Sequence, residues 1–196
     1  MPNKNQETFY PKSRSDWRKW LEENHDSQES VWLIFYKKKT GIDSISWTDA
    51  VEEALCFGWI DSKKQSIDAA SYQQFFSRRK PNSTWSKVNK DKVIYLIAQN
   101  LMKEAGLACI EIAKQNGSWT LLDSAEQLLI PEDLEKEFGQ QPHSKAYFLS
   151  LSKSKRKHIL SWIALAKRAE TRAKRIGEIA EEASKQQLPK QFLGKS

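Results

Sequence analysis

Six consecutive residues, Val31-Trp32-Leu33-Ile34-Phe35-Tyr36, are all branched aliphatic or aromatic. Such a run leaves no polar face, so as a strand it expects cover on both sides. A strand of that kind needs partners, and the first half of the chain supplies them. Trp59–Ile67 and Tyr72–Arg78 read as two further strands. Asp68-Ala69-Ala70-Ser71 lies between them, which predicts an antiparallel hairpin. Glu7–Tyr10 reads as a short edge strand closed by Pro11.

Helices fill the gaps. Ser13 or Ser15 caps a segment with Trp17, Trp20 and Leu21 at i, i+3, i+4. Ser46 and Asp49 have capping-box spacing ahead of a helix with Val51, Ala54 and Leu55 inside, Glu52 and Glu53 outside, and Gly58 as its left-handed stop. From Asn89 or Asp91 onward the pattern is wholly helical. A first helix places Val93, Ile94, Leu96, Ile97 and Leu101 inside and is interrupted by Gly106. Later ones begin near Leu107, Pro131, Ser144 and Ser152 or Ser154. The last spans about 170–185, with Ile176, Ile179, Ala180 and Ala183 on one stripe.

The order β-α-β-α-β-β followed by helices predicts an α+β fold. A small, mostly antiparallel sheet with its helices forms the N-terminal half, packed against a helical C-terminal half. The boundary falls between an α+β region, 1–88, and a helical region, 89–196. No Gly/Pro/Ser-rich linker separates them, so the two read as one compact unit.

Charge narrows the partners. A net charge of +7 over 196 residues favours anionic ligands or acidic protein segments but is modest for a dedicated nucleic-acid binder. The two cysteines, Cys56 and Cys109, lack CxxC spacing and suit a reducing, cytoplasmic setting. The opening MPNKNQETFYPKS has no apolar core of a secretion signal, and no run approaches the ~18 apolar residues of a membrane span. His25, His143 and His158 are scattered, and no zinc-ligand pair, GxGxxG or P-loop occurs. No metal or cofactor is implied.

Four stretches, ALCFGWIDS, QFFSRRKPNSTWSKVN, GLACIEIAKQNGSW and SLSKSKRKHILSWIALAKRAETRAKRI, follow one another in the chain. Together they resemble the YdeI/OmpD-associated, or bacteriocin-protection, family from about Phe9 to Ile179. One departure is Ser77, where the family pattern often carries Pro before the basic pair. The resemblance implies a soluble bacterial protein linked to bacteriocin protection or envelope stress. It brings no reaction and no catalytic residue.

The candidate site residues come from the residues themselves. Asp61 sits opposite about Arg78 if the hairpin turn centres on Ala69-Ala70. It then forms a cross-strand ion pair with Arg78 or Arg79, or faces a ligand beside Trp59. Arg78, Arg79 and Lys80 lead into Ser83, Trp85 and Ser86. Guanidinium forks suit phosphate or carboxylate, and Trp85 either stacks on a ligand ring or plugs the core. Arg172 and Arg175, one helical turn apart in a Thr-Arg-x-x-Arg-Ile motif, either lie on a solvated face or close over the same cleft. Cys56 stands late in a helix, where the dipole opposes a thiolate, and reads as a small buried hydrophobe.

The leading expectation is a non-enzymatic stress-protection protein that binds an anionic ligand or partner in an aromatic, basic cleft of Trp59, Asp61, Arg78, Arg79, Trp85, Arg172 and Arg175. An enzyme using Asp61 as acid/base on an anionic small molecule is the first alternative. Weak nucleic-acid binding through the basic C-terminal helices is the second.

Overall fold

The computed structural model describes residues 7–193. They divide into two compact units after Trp119, a later boundary than the 88/89 division read from the sequence. The helices after residue 88 therefore do not form a single body. The first two of them, α3 (Lys87–Ala98) and α4 (Glu104–Gln115), belong with the sheet.

The first unit also contains β1 (Thr8–Phe9), α1 (Arg14–Asn24), β2 (Ser30–Tyr36), α2 (Trp47–Cys56), β3 (Trp59–Ser66) and β4 (Ser71–Arg78). The strand order is β1-β2-β4-β3. β1 lies parallel to β2 at one edge, and the other pairings are antiparallel. The fold is α+β, as the sequence predicts. Val31, Leu33 and Phe35 of β2 enter the core, where Trp17, Trp20 and Leu21 of α1 and Ala50, Val51, Ala54 and Leu55 of α2 meet them. On the opposite face Trp32 is buried in ring contact with Phe75, whereas Ile34 and Tyr36 are half-buried. The apolar run is thus covered unequally: deeply by helices on one side and by neighbouring side chains on the other.

Both anticipated caps form. The Ser13 hydroxyl accepts from the Asp16 amide, and the Asp16 carboxylate accepts in return from the Ser13 amide. Ser46 caps α2 through the Asp49 amide.

Three local expectations fail, the first two for a tertiary reason. Glu53 of α2 is not outside but buried, because the Arg14 and Arg18 guanidinium groups of α1 reach it at 2.5 and 2.6 Å. Glu52 is likewise drawn in by Lys92 of α3 at 2.6 Å. Gly106 does not interrupt a helix. It lies inside α4, where the helix backbone rests on the end of α2, and a Cβ at 106 would fall 2.3 Å from the Cys56 carbonyl oxygen. The helix break comes earlier, at Gln99–Lys103, where Asn100 takes a positive φ. Finally, only Val93 and Leu96 of α3 are buried, and Ile94 and Ile97 are exposed.

The second unit consists of α5 (Asp123–Glu126), α6 (Glu132–Gln140), α7 (Ser144–Ser150), α8 (Lys153–Ala164) and α9 (Ala169–Ser184). Its core joins Leu134 and Phe138 of α6, Phe148 of α7, Ile159, Leu160 and Ile163 of α8, and Ile176, Ile179 and Ala180 of α9. The α9 stripe is the one its periodicity predicts. Among the described residues no helix is long and apolar enough to cross a membrane.

Candidate functional site

The hairpin places the first candidates. Its turn is closed by Asp68, whose Oδ1 accepts from the Ala70 amide, the Ser71 amide and the Ser71 hydroxyl at 2.7, 2.6 and 2.9 Å. Those contacts also hold the Asp68 carboxyl below its ordinary pKa. A bulge between Asp61 and Lys64 then shifts the register. Trp59, not Asp61, lies opposite Arg78, and Asp61 lies opposite Phe76. The cross-strand pair of Asp61 with Arg78 does not form. Arg78 instead donates to the backbone carbonyls of Asp26 and Gln28, fastening the loop after α1. Trp59 is buried in the core and donates through Nε1 to the His25 carbonyl at 3.3 Å, so it has no open face for a ligand.

Arg79 and Trp85 do come together. The Arg79 guanidinium carbon stands 3.6 Å from the Trp85 ring centroid. Both residues are buried. Nη1 and Nη2 of Arg79 make long contacts, 3.3 and 3.4 Å, to the Thr84 carbonyl. Its Nε has no hydrogen-bond partner among the described residues. Burial pushes the Arg79 pKa down to about 10, against the weaker pull of Cys109 and Asp61. Arg79, Lys80, Pro81, Trp85, Cys109 and Ile112 line a cavity of about 30 Å³. That is room for one water-sized group. Ser86, at the end of this segment, caps α3 through the Asn89 amide.

The cavity is anchored at one backbone atom. The Gly58 carbonyl accepts the Arg79 amide at 2.8 Å and the Cys109 thiol at 3.9 Å. Gly58 has φ +74°, and a Cβ there would lie 2.7 Å from Cys109 Sγ, so both the conformation and the space require glycine.

Asp61 belongs to a different, wider cleft. Its Oδ2 accepts from Trp47 Nε1 at 2.9 Å and from Gln74 Nε2 at 2.9 Å. Gln74 Nε2 also donates to the Ser62 carbonyl, and the Lys64 ammonium stands 4.1 Å from the Tyr72 ring centroid. These five residues, Trp47, Asp61, Lys64, Tyr72 and Gln74, surround about 350 Å³. Burial raises the Tyr72 pKa. Trp47, Lys64, Tyr72 and Gln74 are absent from the sequence-based site. The only signals they left were an indole in the first turn of α2 and a buried amide in an aromatic strand.

Arg172 and Arg175 lie in the second unit, where both are engaged. Arg172 makes a two-pronged contact with Asp133, through Nε at 2.6 Å and Nη2 at 2.9 Å, and lowers the Asp133 pKa. Its Nη1 also reaches the Ile163 carbonyl at 3.5 Å. Arg175 donates to the Trp162 carbonyl, and its guanidinium lies 4.6 Å from the Trp162 ring centroid. Both arginines therefore reach last-turn carbonyls of α8. Other cations of these helices meet carboxylates: Lys145 with Glu135, Lys157 with Glu126, and Lys185 with Glu181 and Glu182.

Cys56 is buried and its thiol pKa is pushed up to about 11, chiefly by desolvation. Burial raises the Cys109 thiol as well. Both are free cysteines. Among the described residues no group of His, Cys, Asp and Glu is placed to hold a metal ion.

Two family models match. A domain of unknown function, DUF8412, matches residues 9–109, and the description "Bacteriocin-protection, YdeI or OmpD-Associated" matches residues 127–186. The resemblance read from the sequence, which ran from Phe9 to Ile179, is thus supported over its C-terminal part, and the sheet-bearing part corresponds to the other model. No curated protein and no solved structure matches the chain.

Proposed function

The chain belongs, through residues 9–109, to the DUF8412 domain family, and we propose that this part of it is an anion-binding module in which Arg79 holds the charged group. A single observation carries the reading. The guanidinium is buried, beside a small opening, with its Nε–H unpartnered and no carboxylate in ion-pair contact among the described residues. A buried cation without a counter-charge is costly, and an entering anion offsets that cost. Trp85 holds the guanidinium plane in place, and Lys80 adds a second positive charge at the opening. The cavity admits a single terminal oxygen or a halide rather than a whole phosphate. The ligand is therefore a halide, or a larger molecule that presents a carboxylate or phosphoryl oxygen to Arg79 while the rest stays outside. Binding without chemistry suits the surroundings, because the adjacent Cys109 thiol has its pKa raised by burial. The bacteriocin-protection model over residues 127–186 supports a protective rather than metabolic role, in a reducing compartment that keeps Cys56 and Cys109 free.

Thermal shift in chloride, bromide, acetate, succinate and inorganic phosphate at constant ionic strength tests this. At least one of these anions gives a saturable rise in unfolding temperature, of the size set by RT ln(1 + [L]/Kd). Arg79→Met abolishes that rise while Arg78→Met retains it. A flat response to every anion, or an unchanged response in Arg79→Met, refutes the assignment.

A further inference from the structure

We infer that the cleft beside Asp61 is a second binding site, for a neutral polyhydroxylated ring such as a hexopyranose. This inference does not rest on the anion site. The lining groups are those already located: Trp47, Asp61, Lys64, Tyr72 and Gln74 around about 350 Å³. That volume sits at the small end of ligand pockets, which run from about 300 Å³ upward.

The charges choose the ligand class. A carboxylate and an ammonium share the cleft, so a ligand of either net charge meets repulsion from one of them. A cation has a further disadvantage, because the Lys64 ammonium already occupies a face of the Tyr72 ring at 4.1 Å. Vicinal hydroxyls have no such conflict. Each one donates and accepts, so a neighbouring pair can donate hydrogen bonds to Asp61 Oδ1 and the Gln74 amide oxygen and accept one from Lys64.

The acceptors are fixed in advance. Asp61 Oδ2 is spent on Trp47 and Gln74, while Oδ1 takes no hydrogen bond among the described residues. The Gln74 amide nitrogen is spent on Asp61 and the Ser62 carbonyl, and its oxygen is left over. Gln74 is only 5% exposed, which pins that oxygen without flexible side-chain entropy to lose on binding. The indole completes the site. Trp47 is 45% exposed, although its N–H is tethered to Asp61. A tethered edge and an open face make a platform on which the C–H face of a sugar ring packs by dispersion and loss of apolar hydration.

Two-dimensional NMR of ¹⁵N-labelled full-length protein tests the site. The Trp47 indole and Gln74 amide side-chain signals are followed during titration with D-glucose, D-galactose and N-acetylglucosamine, and in parallel with choline and glutamate. At least one sugar shifts both signals saturably, and the charged probes do not. Trp47→Ala and Asp61→Asn, each checked for an intact fold by the remaining spectrum, weaken the response of the Gln74 amide. Losing a hydrogen bond to a charged group costs about tenfold or more in affinity. No saturable shift with any of the three sugars overturns the assignment. So does a response to choline or glutamate in place of sugar, or sugar binding that survives both substitutions.

Discussion

Arg18 of α1 donates to Glu53 of α2 at 2.6 Å across 35 positions of sequence, at a carboxylate that is almost wholly buried. Arg14 meets the other Glu53 oxygen at 2.5 Å. This pair joins the two helices that cover the sheet. Glu53→Ala removes the buried carboxylate from both guanidinium groups, which keep their outer partners: Asp49 and Glu52 for Arg14, Glu22 and the Leu101 carbonyl for Arg18. The expected loss is therefore near the lower bound for a broken buried pair, about 3 kcal/mol. Urea denaturation reads it, with Glu22→Ala, an exposed partner of Arg18 at 3.7 Å, changing stability by under about 1 kcal/mol.

Two glycines in helices should respond to alanine with opposite signs. Gly106→Ala drives a methyl against the Cys56 carbonyl, a backbone atom that cannot rotate away, and overpacking of this kind costs about 1–3 kcal/mol. Gly139 lies in α6 with nothing within 4 Å of its missing Cβ, so Gly139→Ala stabilises by roughly 0.5–1 kcal/mol through the unfolded chain. Paired denaturation curves check both.

Cys56 should be silent toward alkylation in the native protein. With its pKa near 11, roughly a thousandth of the thiol is ionised at pH 8, and the side chain is buried as well. Iodoacetamide labelling followed by peptide mass spectrometry is expected to modify Cys56 only in denaturant. Rapid native labelling at this position would contradict the packing role.

The Arg172–Asp133 contact sets a pH dependence with a definite sign. Arg172 lowers the folded-state pKa of Asp133 below the unfolded value, so the stability it contributes is present above the ordinary carboxylate range. It is lost as pH falls through the depressed folded value. Asp133→Asn should therefore be less stable than the natural protein at pH 7, with the gap closing toward zero below about pH 4. A gap that widens on acidification would reverse the assignment.

Much of the architecture was legible because local chemistry decided it. Ser13 and Ser46 cap helices with hydroxyl-to-amide contacts three residues long, and the α9 stripe follows from spacing alone. What could not be read depends on partners far along the chain or on a single turn. Glu53 is inside only because arginines 35 and 39 positions away fold onto it. Asp61 misses Arg78 because Asp68 closes the turn early and a bulge then inserts before Lys64. Placing Asp61 beside Arg78 required the register, and hydrophobic pattern fixes which face a residue occupies, not which neighbour it meets. Of the candidate residues, Arg79 with Trp85 form one pair, Asp61 opens a different cleft, and Trp59 is spent on the core.

The Gly58 carbonyl is a knot in the chain: it receives the amide of Arg79, just past β4, and the thiol of Cys109 in α4. Lifting α4 away would take Cys109 and Ile112 off the Arg79 cavity, so opening of that helix and hydration of the guanidinium become one event. An anion lodged at Arg79 should then report at a distance, as slower amide hydrogen exchange along Glu104–Gln115 with little change at the β1 edge of the sheet.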